Sequence, residues 1–501
     1  MKNKVTEMAI PFETEQVADE NVKTMVNAID VTVPKSSIES TSLLVNLIEN
    51  RDRKEEKRQR NAQKKLEEER IKHGPAYYAE IFNADHAPEE PKRRPHFVVD
   101  FTKPMPSSVQ TAAGQFGLPA FATYADHCDF QYIDNQPREL RMNIDIIGES
   151  GDGKKSVKAL YDAILKLLSV DDEESWEIDR KYRSAKEAAG DRKTEERPNA
   201  LIRILKSDIT EPELNRLGDI SDGKPFFLHV PEPDELDQLK GGPRGRKHFK
   251  ILKKADDENN DAGQMRAGTK SVSSNYNLRL NYAIELRPTQ LLSFYAGEII
   301  NGARDRASLC EIPVQPIGAP IPKFGDLGEK YQALIRPYID NIRAAKGTIY
   351  CKQAYKLTNQ LKREIDAYTG DLTLDTVLDK MSHRALCRAF KRACLCYIAE
   401  GQKWDPALNN WIRWSFLYDL WLQYHYFADA IRYDKGQLKV TTRGPVSFRD
   451  MLSQEFTFAQ FKELHIRVGY GEDEKKMHGL IRTWINRGNI ERTATGYRKL
   501  K

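Results

Sequence analysis

Three things are scarce in this chain of 501 residues. Cysteine is the first. Six cysteines are too few for a disulfide framework in a chain of this length. Cys387, Cys394 and Cys396 crowd into "CRAFKRACLC", but no C-x-x-C pair occurs there, so reduced thiols on a helix are expected rather than a metal site. Long apolar runs are the second. No stretch approaches the roughly 20 residues a membrane helix needs, and the opening "MKNKVTEMAIPFETEQ" lacks the apolar segment of an export signal. A cytoplasmic protein with no membrane partner is therefore expected. The third is a large charge excess: Lys and Arg number 79 against 74 Asp and Glu, a net charge of +5. That balance neither demands nor excludes a nucleic-acid partner, so the placement of the charges carries the information.

What the chain has is length, and about two to four domains follow from it. Residues 1–41 are polar, without periodicity, and are expected to be flexible. "SLLVNLIENRDRKEEKRQRNAQKKLEEERIKHG" (42–74) predicts a charged helix stopped at Gly74-Pro75, serving either as a solvated helix or as a partner arm. "APEEPKRRP" reads as a linker and closes a segment 42–95. From 96 to 325 apolar strands alternate with helices. "LRMNIDIIG" (140–148) runs into "GESGDGKKS", and a helix over 154–169 follows, with Val157, Leu160, Ile164, Leu167 and Leu168 near one face. Residues 170–199 read as a charged excursion. Further strands are expected over 200–205, 224–230, 277–288 and 307–314. This pattern predicts a mostly parallel, three-layer α/β sheet. Residues 326–440 read as nearly all helical, and the aromatic crowding from Trp411 to Phe427 reads as a helical core. Residues 445–501 read as three short helices and a strand–turn–strand, the arrangement of a winged helix.

The chemistry is concentrated at "GESGDGKKS". A loop that binds phosphate needs glycines to turn backbone N–H groups inward, a helix N-terminus, a lysine, and a Ser or Thr hydroxyl for Mg²⁺. Gly148, Gly151, Gly153 and Lys154 meet the first three needs between a strand and a helix. Lys155 stands where the hydroxyl belongs, and Ser156 comes one position late. A plain glycine turn is the structural alternative. Hydrolysis would also need acids at a neighbouring strand end, for the metal and for the attacking water. "FFLHVPEPDEL" offers Glu232 and Asp234, with Ser156 and Asp234 as candidate Mg²⁺ ligands. Arg304 and Arg306, in "NGARDRASLCEIP", are candidates to reach the site of a neighbouring subunit, or else simply pair with Asp305.

Two basic regions could follow a phosphate backbone. One is "LKGGPRGRKHFKILKK", with Arg244, Arg246 and Lys247. The other is the C-terminal module, where "EKKMHGLIRTWINRG" would be the recognition helix carrying Lys475, Lys476, Arg482 and Arg487, and Arg498 would sit on the wing.

Taken in order, the glycine loop, "PEPDEL", "GQMRAG", "RDRASLCEIPV", "IRPYIDNIRAAKGTIYCKQAYKL" and "WIRWSFLYDLWLQYHYFADAIR" resemble the helicase- and primase-associated P-loop proteins of bacterial integrative mobile elements, the family described as "domain of unknown function 3987". The resemblance spans about residues 115–500. It implies a RecA-like or AAA+-like ATPase core, an all-α domain and a winged helix. It also implies ATP and Mg²⁺ as cofactors, and work on element DNA as a homo-oligomeric ring. Lys154 would then stand at the phosphate-loop lysine, Glu232 and Asp234 at the acidic strand end, and Arg306 at the arginine before the last core strand. Three functions remain open on the sequence. One is an ATP-hydrolysing, replicative-helicase-like protein. Another is a DNA-binding adaptor or initiator whose degenerate loop does not hydrolyse ATP. The third is a protein-interaction scaffold that binds no DNA.

Overall fold

The computed structural model describes residues 73–149, 151, 153–189, 196–239, 247–258, 260–264, 274–295, 303–434, 449, 452–467, 472–486 and 488–500. The segment 1–41 and nearly all of the charged helix expected over 42–74 lie outside these. Among the described residues, no helix is long and apolar enough to cross a membrane.

Five parallel strands form the central sheet: β1 (Asn143–Ile147), β2 (Ile204–Leu205), β3 (Phe226–Val230), β4 (Leu280–Leu286) and β5 (Leu309–Glu311). Their order is β2-β3-β4-β1-β5. The chain leaves β1 for the far edge, returns through β3 and β4, then crosses to the other side of β1 with β5. The connections leaving the neighbouring strands β1 and β4 thus run in opposite directions, and a crevice opens beyond strand carboxyl ends at such a point.

Every residue of β1 is buried, although Asn143 and Asp145 alternate with isoleucines. A polar side chain in a strand covered on both faces is costly unless it is hydrogen-bonded. Both have partners. Asn143 Oδ1 accepts the Ser308 N–H at 2.9 Å, and the Tyr295 hydroxyl donates to Asp145 at 2.6 Å. The alternation therefore records specific partners and not a wet face.

Helix α1 (Lys155–Ile164) follows the glycine loop and buries Val157, Leu160 and Ile164. Its Tyr161 ring meets Phe227 and His229 of β3 edge-on, at 4.9 and 5.0 Å. The stretch expected to be a charged excursion instead continues as α2 (Lys166–Ala189). Its acids explain why. Asp172 accepts the backbone N–H groups of Arg203 and Ile204 at 2.8 and 2.7 Å, which anchors the entry to β2. Asp179 pairs with Arg183 and Arg197 at 2.6 and 2.8 Å.

Further helices include α3 (Lys247–Asp256), α4 (Thr376–Ala399) and α5 (Leu408–Asp434). Asp375 caps α4 by accepting the N–H groups of Val377 and Leu378. Trp411 and Phe416 of α5 are fully buried, as a helical core requires. One continuous core runs from Tyr78 to Ile431, so the helical block and the sheet share it. The stretch read as a linker lies across that block: Trp411 Nε1 donates to Glu90 at 2.9 Å, and Trp414 Nε1 to the Pro88 carbonyl at 2.8 Å. A small sheet not foreseen in the sequence pairs His127–Gln131 with Lys346–Ile349 and with Pro137–Glu139.

The C-terminal residues form their own small core around Phe456, Phe461, Met477, Ile481 and Trp484. It is built from α6 (Phe458–Arg467), α7 (Glu474–Asn486) and a three-stranded sheet of Glu455–Phe456, Ile490–Arg492 and Tyr497–Lys499. The first of the three helices expected here falls largely outside the described residues.

Candidate functional site

The glycine loop leaves the carboxyl end of β1. Gly151 and Gly153 have φ of +103° and +105°, a region where a side chain brings strain. A Cβ on Gly148 would come within 3.3 Å of Ile312 and 3.4 Å of Lys154. The glycines are thus required by backbone conformation at two positions and by close packing at the third. Lys154 closes the loop as the residue before α1. Its Nζ donates to the Leu286 carbonyl at 3.2 Å, at the carboxyl end of β4. That same carbonyl accepts the Gly148 N–H at 3.0 Å, so loop and strand end are tied twice.

Burial lowers the Lys154 pKa below the usual lysine range, while the carboxylates of Glu285, Glu232 and Glu149 oppose the shift. Three acids and a half-buried lysine therefore share one field at the strand ends. Glu285 is the buried one. It lies in β4 beside Ile146, and its Oε1 is 2.8 Å from His229 Nε2 of β3. Their side chains are 7% and 15% exposed, so the pair is largely shielded from water. Glu285 and His229 escaped sequence reasoning. The available signal was one polar residue inside each of two apolar strands, "FFLHV" and "NYAIEL".

The other expected residues differ in their placement. Lys155 is exposed in the first turn of α1. Ser156 is fully buried, and its hydroxyl donates to the Gly153 carbonyl at 2.6 Å. A hydroxyl enclosed this way does not fit a cation site. Glu232 and Asp234 are exposed after β3, Asp234 in the 3₁₀ turn Pro233–Leu239.

Arg304 and Arg306 lie just before β5, at the amino end of the sheet and away from the glycine loop. Arg304 is buried, with its guanidinium over the Phe427 ring at 5.2 Å. Arg306 Nη2 is 2.8 Å from Asp257. Arg244, Arg246 and Arg487 lie outside the described residues, as does the Lys247 side chain. Lys475, Lys476 and Arg482 are exposed on α7. Arg498 pairs with Glu455 at 2.8 Å and with Glu491 at 3.4 Å.

A cavity of about 830 Å³ lies at the amino end of the sheet and not at the loop. Its charges pair across its walls: Asp134 with Arg138, Asp256 with Arg384, and Glu258 with Lys391. Mutually neutralised charges are explained by packing alone, which places this cavity below the loop as a candidate. His96, Glu400 and Asp405 also converge. There the two carboxylates accept the N–H groups of Phe97 and His96 at 2.9 Å each, the task of helix caps.

No model of a known protein family matches this chain, and no curated protein matches it.

Proposed function

We propose that the chain binds a nucleoside triphosphate at residues 148–156 and couples it to work on DNA, in the manner of a replicative helicase of a mobile element. The observation that carries the reading is the glycine loop, tied to the end of β4 and leading into α1, where the connections leaving β1 and β4 run in opposite directions. Numbered within the sheet, the order is 5-1-4-3-2, which supports an AAA+-like core with the loop strand between the last two strands. Lys154 rests on a backbone carbonyl, from which it can move to a phosphate without breaking an ion pair. The exposed cations of α7, on a helix followed by a small β-hairpin, support a winged-helix contact to DNA. ATP, a ring of identical subunits and element DNA come from the family resemblance and belong to this proposal. The test is DNA-stimulated ATP hydrolysis by wild type and Lys154→Ala. The reading expects turnover in the first and at least a tenfold loss in the second. Equal rates in both would overturn it.

A second reading keeps the nucleotide and drops hydrolysis, as in an adaptor or initiator. The enclosed Ser156 hydroxyl favours it. It expects DNA binding that survives without nucleotide and disappears when residues 445–501 are removed.

A further inference from the structure

Resting on the nucleotide reading, we propose that Glu285 is the residue that deprotonates the attacking water, with His229 as its positioning residue, and that the acids after β3 do not fill this role. Glu232 and Asp234 are exposed on the segment that leaves the sheet. Glu285 instead stands inside the sheet, in the residue before Leu286, whose carbonyl holds both Lys154 and Gly148.

Three observations converge on it. Its carboxylate is the first opposing charge acting on Lys154. It shares a face of the sheet with His229, because the strand register sets His229 beside Ala283, two residues before Glu285. That is the face that α1 covers through Tyr161, whose ring lies 5.0 Å from the imidazole. The pair therefore lies under the helix that begins at the loop. A buried carboxylate with one oxygen fixed by an imidazole keeps its other oxygen in a defined direction, as a general base requires.

The step is a hydrolysis. The water oxygen bonds to the terminal phosphorus, and the bond from that phosphorus to the bridging oxygen breaks. The leaving diphosphate takes the electron pair. The water proton passes to Glu285 and then to the released phosphate or to solvent.

The experiment measures ATP affinity and turnover separately on the full chain, for wild type, Lys154→Ala, Glu285→Gln, Glu232→Gln, His229→Ala and His229→Gln. For Glu285→Gln the expected result is affinity within about threefold of wild type and turnover down about 100-fold or more. Glu232→Gln is expected to stay within about fivefold of wild type in turnover. His229→Ala should lower kcat and leave KM near wild type, and His229→Gln, which keeps an N–H for the carboxylate, should recover part of that loss. Retained affinity also reports that each variant has folded. If Glu285→Gln does not fold, Glu285→Asp carries the same test.

Wild-type turnover in Glu285→Gln would overturn the assignment while leaving the nucleotide site intact. So would a wild-type chain that binds ATP and never hydrolyses it. A wild-type chain that binds no ATP would overturn both the assignment and the reading beneath it.

Discussion

The Tyr295 hydroxyl donates to Asp145 at 2.6 Å, in the middle of the fully buried strand that leads into the glycine loop. Burial raises the Asp145 pKa to about 7, the hydrogen bond from Tyr295 opposes the shift, and the charge of Asp419 adds to it. A carboxyl group whose folded pKa lies above its unfolded value favours the folded state at low pH. That contribution is complete below about pH 4 and is lost as the pH rises through about 7. Urea unfolding at pH 5 and pH 8 should therefore show wild type losing stability relative to Asp145→Asn, on the order of 2–4 kcal/mol. Parallel pH profiles for the two proteins would contradict this.

Asp419 holds the helical block to the sheet. It accepts the Leu309 N–H at 3.0 Å, Arg388 Nε at 2.7 Å and Arg392 Nη2 at 3.1 Å. Asp419→Ala leaves two buried guanidinium groups without their carboxylate. The expected cost is about 3–5 kcal/mol, read as a lower urea midpoint. A midpoint unchanged within error would show that the block is held by apolar packing alone.

Gly153 requires its positive φ, and a Cβ there would also come within 3.2 Å of Val109. Gly153→Ala should cost about 1–2 kcal/mol in stability. It should also weaken ATP binding more than Gly223→Ala does, since Gly223 has a φ of +71° with nothing near its Cβ. Equal effects on binding would detach the glycine loop from the nucleotide.

On the C-terminal module, Lys475 and Arg482 are exposed on one helix, seven residues apart and so on one face. Arg498 is already engaged with two glutamates. Replacing Lys475 and Arg482 together by Ala should flatten the salt dependence of DNA affinity by about two in slope, and Arg498→Ala by less. An unchanged slope in the double variant would move the DNA contact elsewhere.

Much of the architecture was legible because it is local. The strand, the glycine loop and α1 are adjacent in sequence, and the periodicity of Val157, Leu160 and Ile164 marks the buried face directly. The aromatic helix α5 was legible as core for the same reason. What stayed hidden depends on distant partners. Glu90 and Trp411 are 321 residues apart, and nothing around Glu90 tells a linker from a strap fixed to a tryptophan. The helix α2 was hidden because Asp172 and Asp179, which look solvated, are buried against the entry to β2 and against Arg197. At the candidate site the loop residues were legible from spacing. Glu285 was not, since only the strand order brings β4 between β1 and β3, sets its carboxylate beside His229 and brings its charge to bear on Lys154.

Nucleotide binding at the glycine loop is tested most directly by ATP affinity in isothermal titration, on wild type and on Lys154→Ala, with the melting temperature of each recorded. A working phosphate site gives measurable binding by wild type, a loss of at least tenfold on removing the lysine, and melting temperatures within a few degrees of one another. Absence of binding to the wild-type chain, or equal affinity in the two proteins, would contradict it.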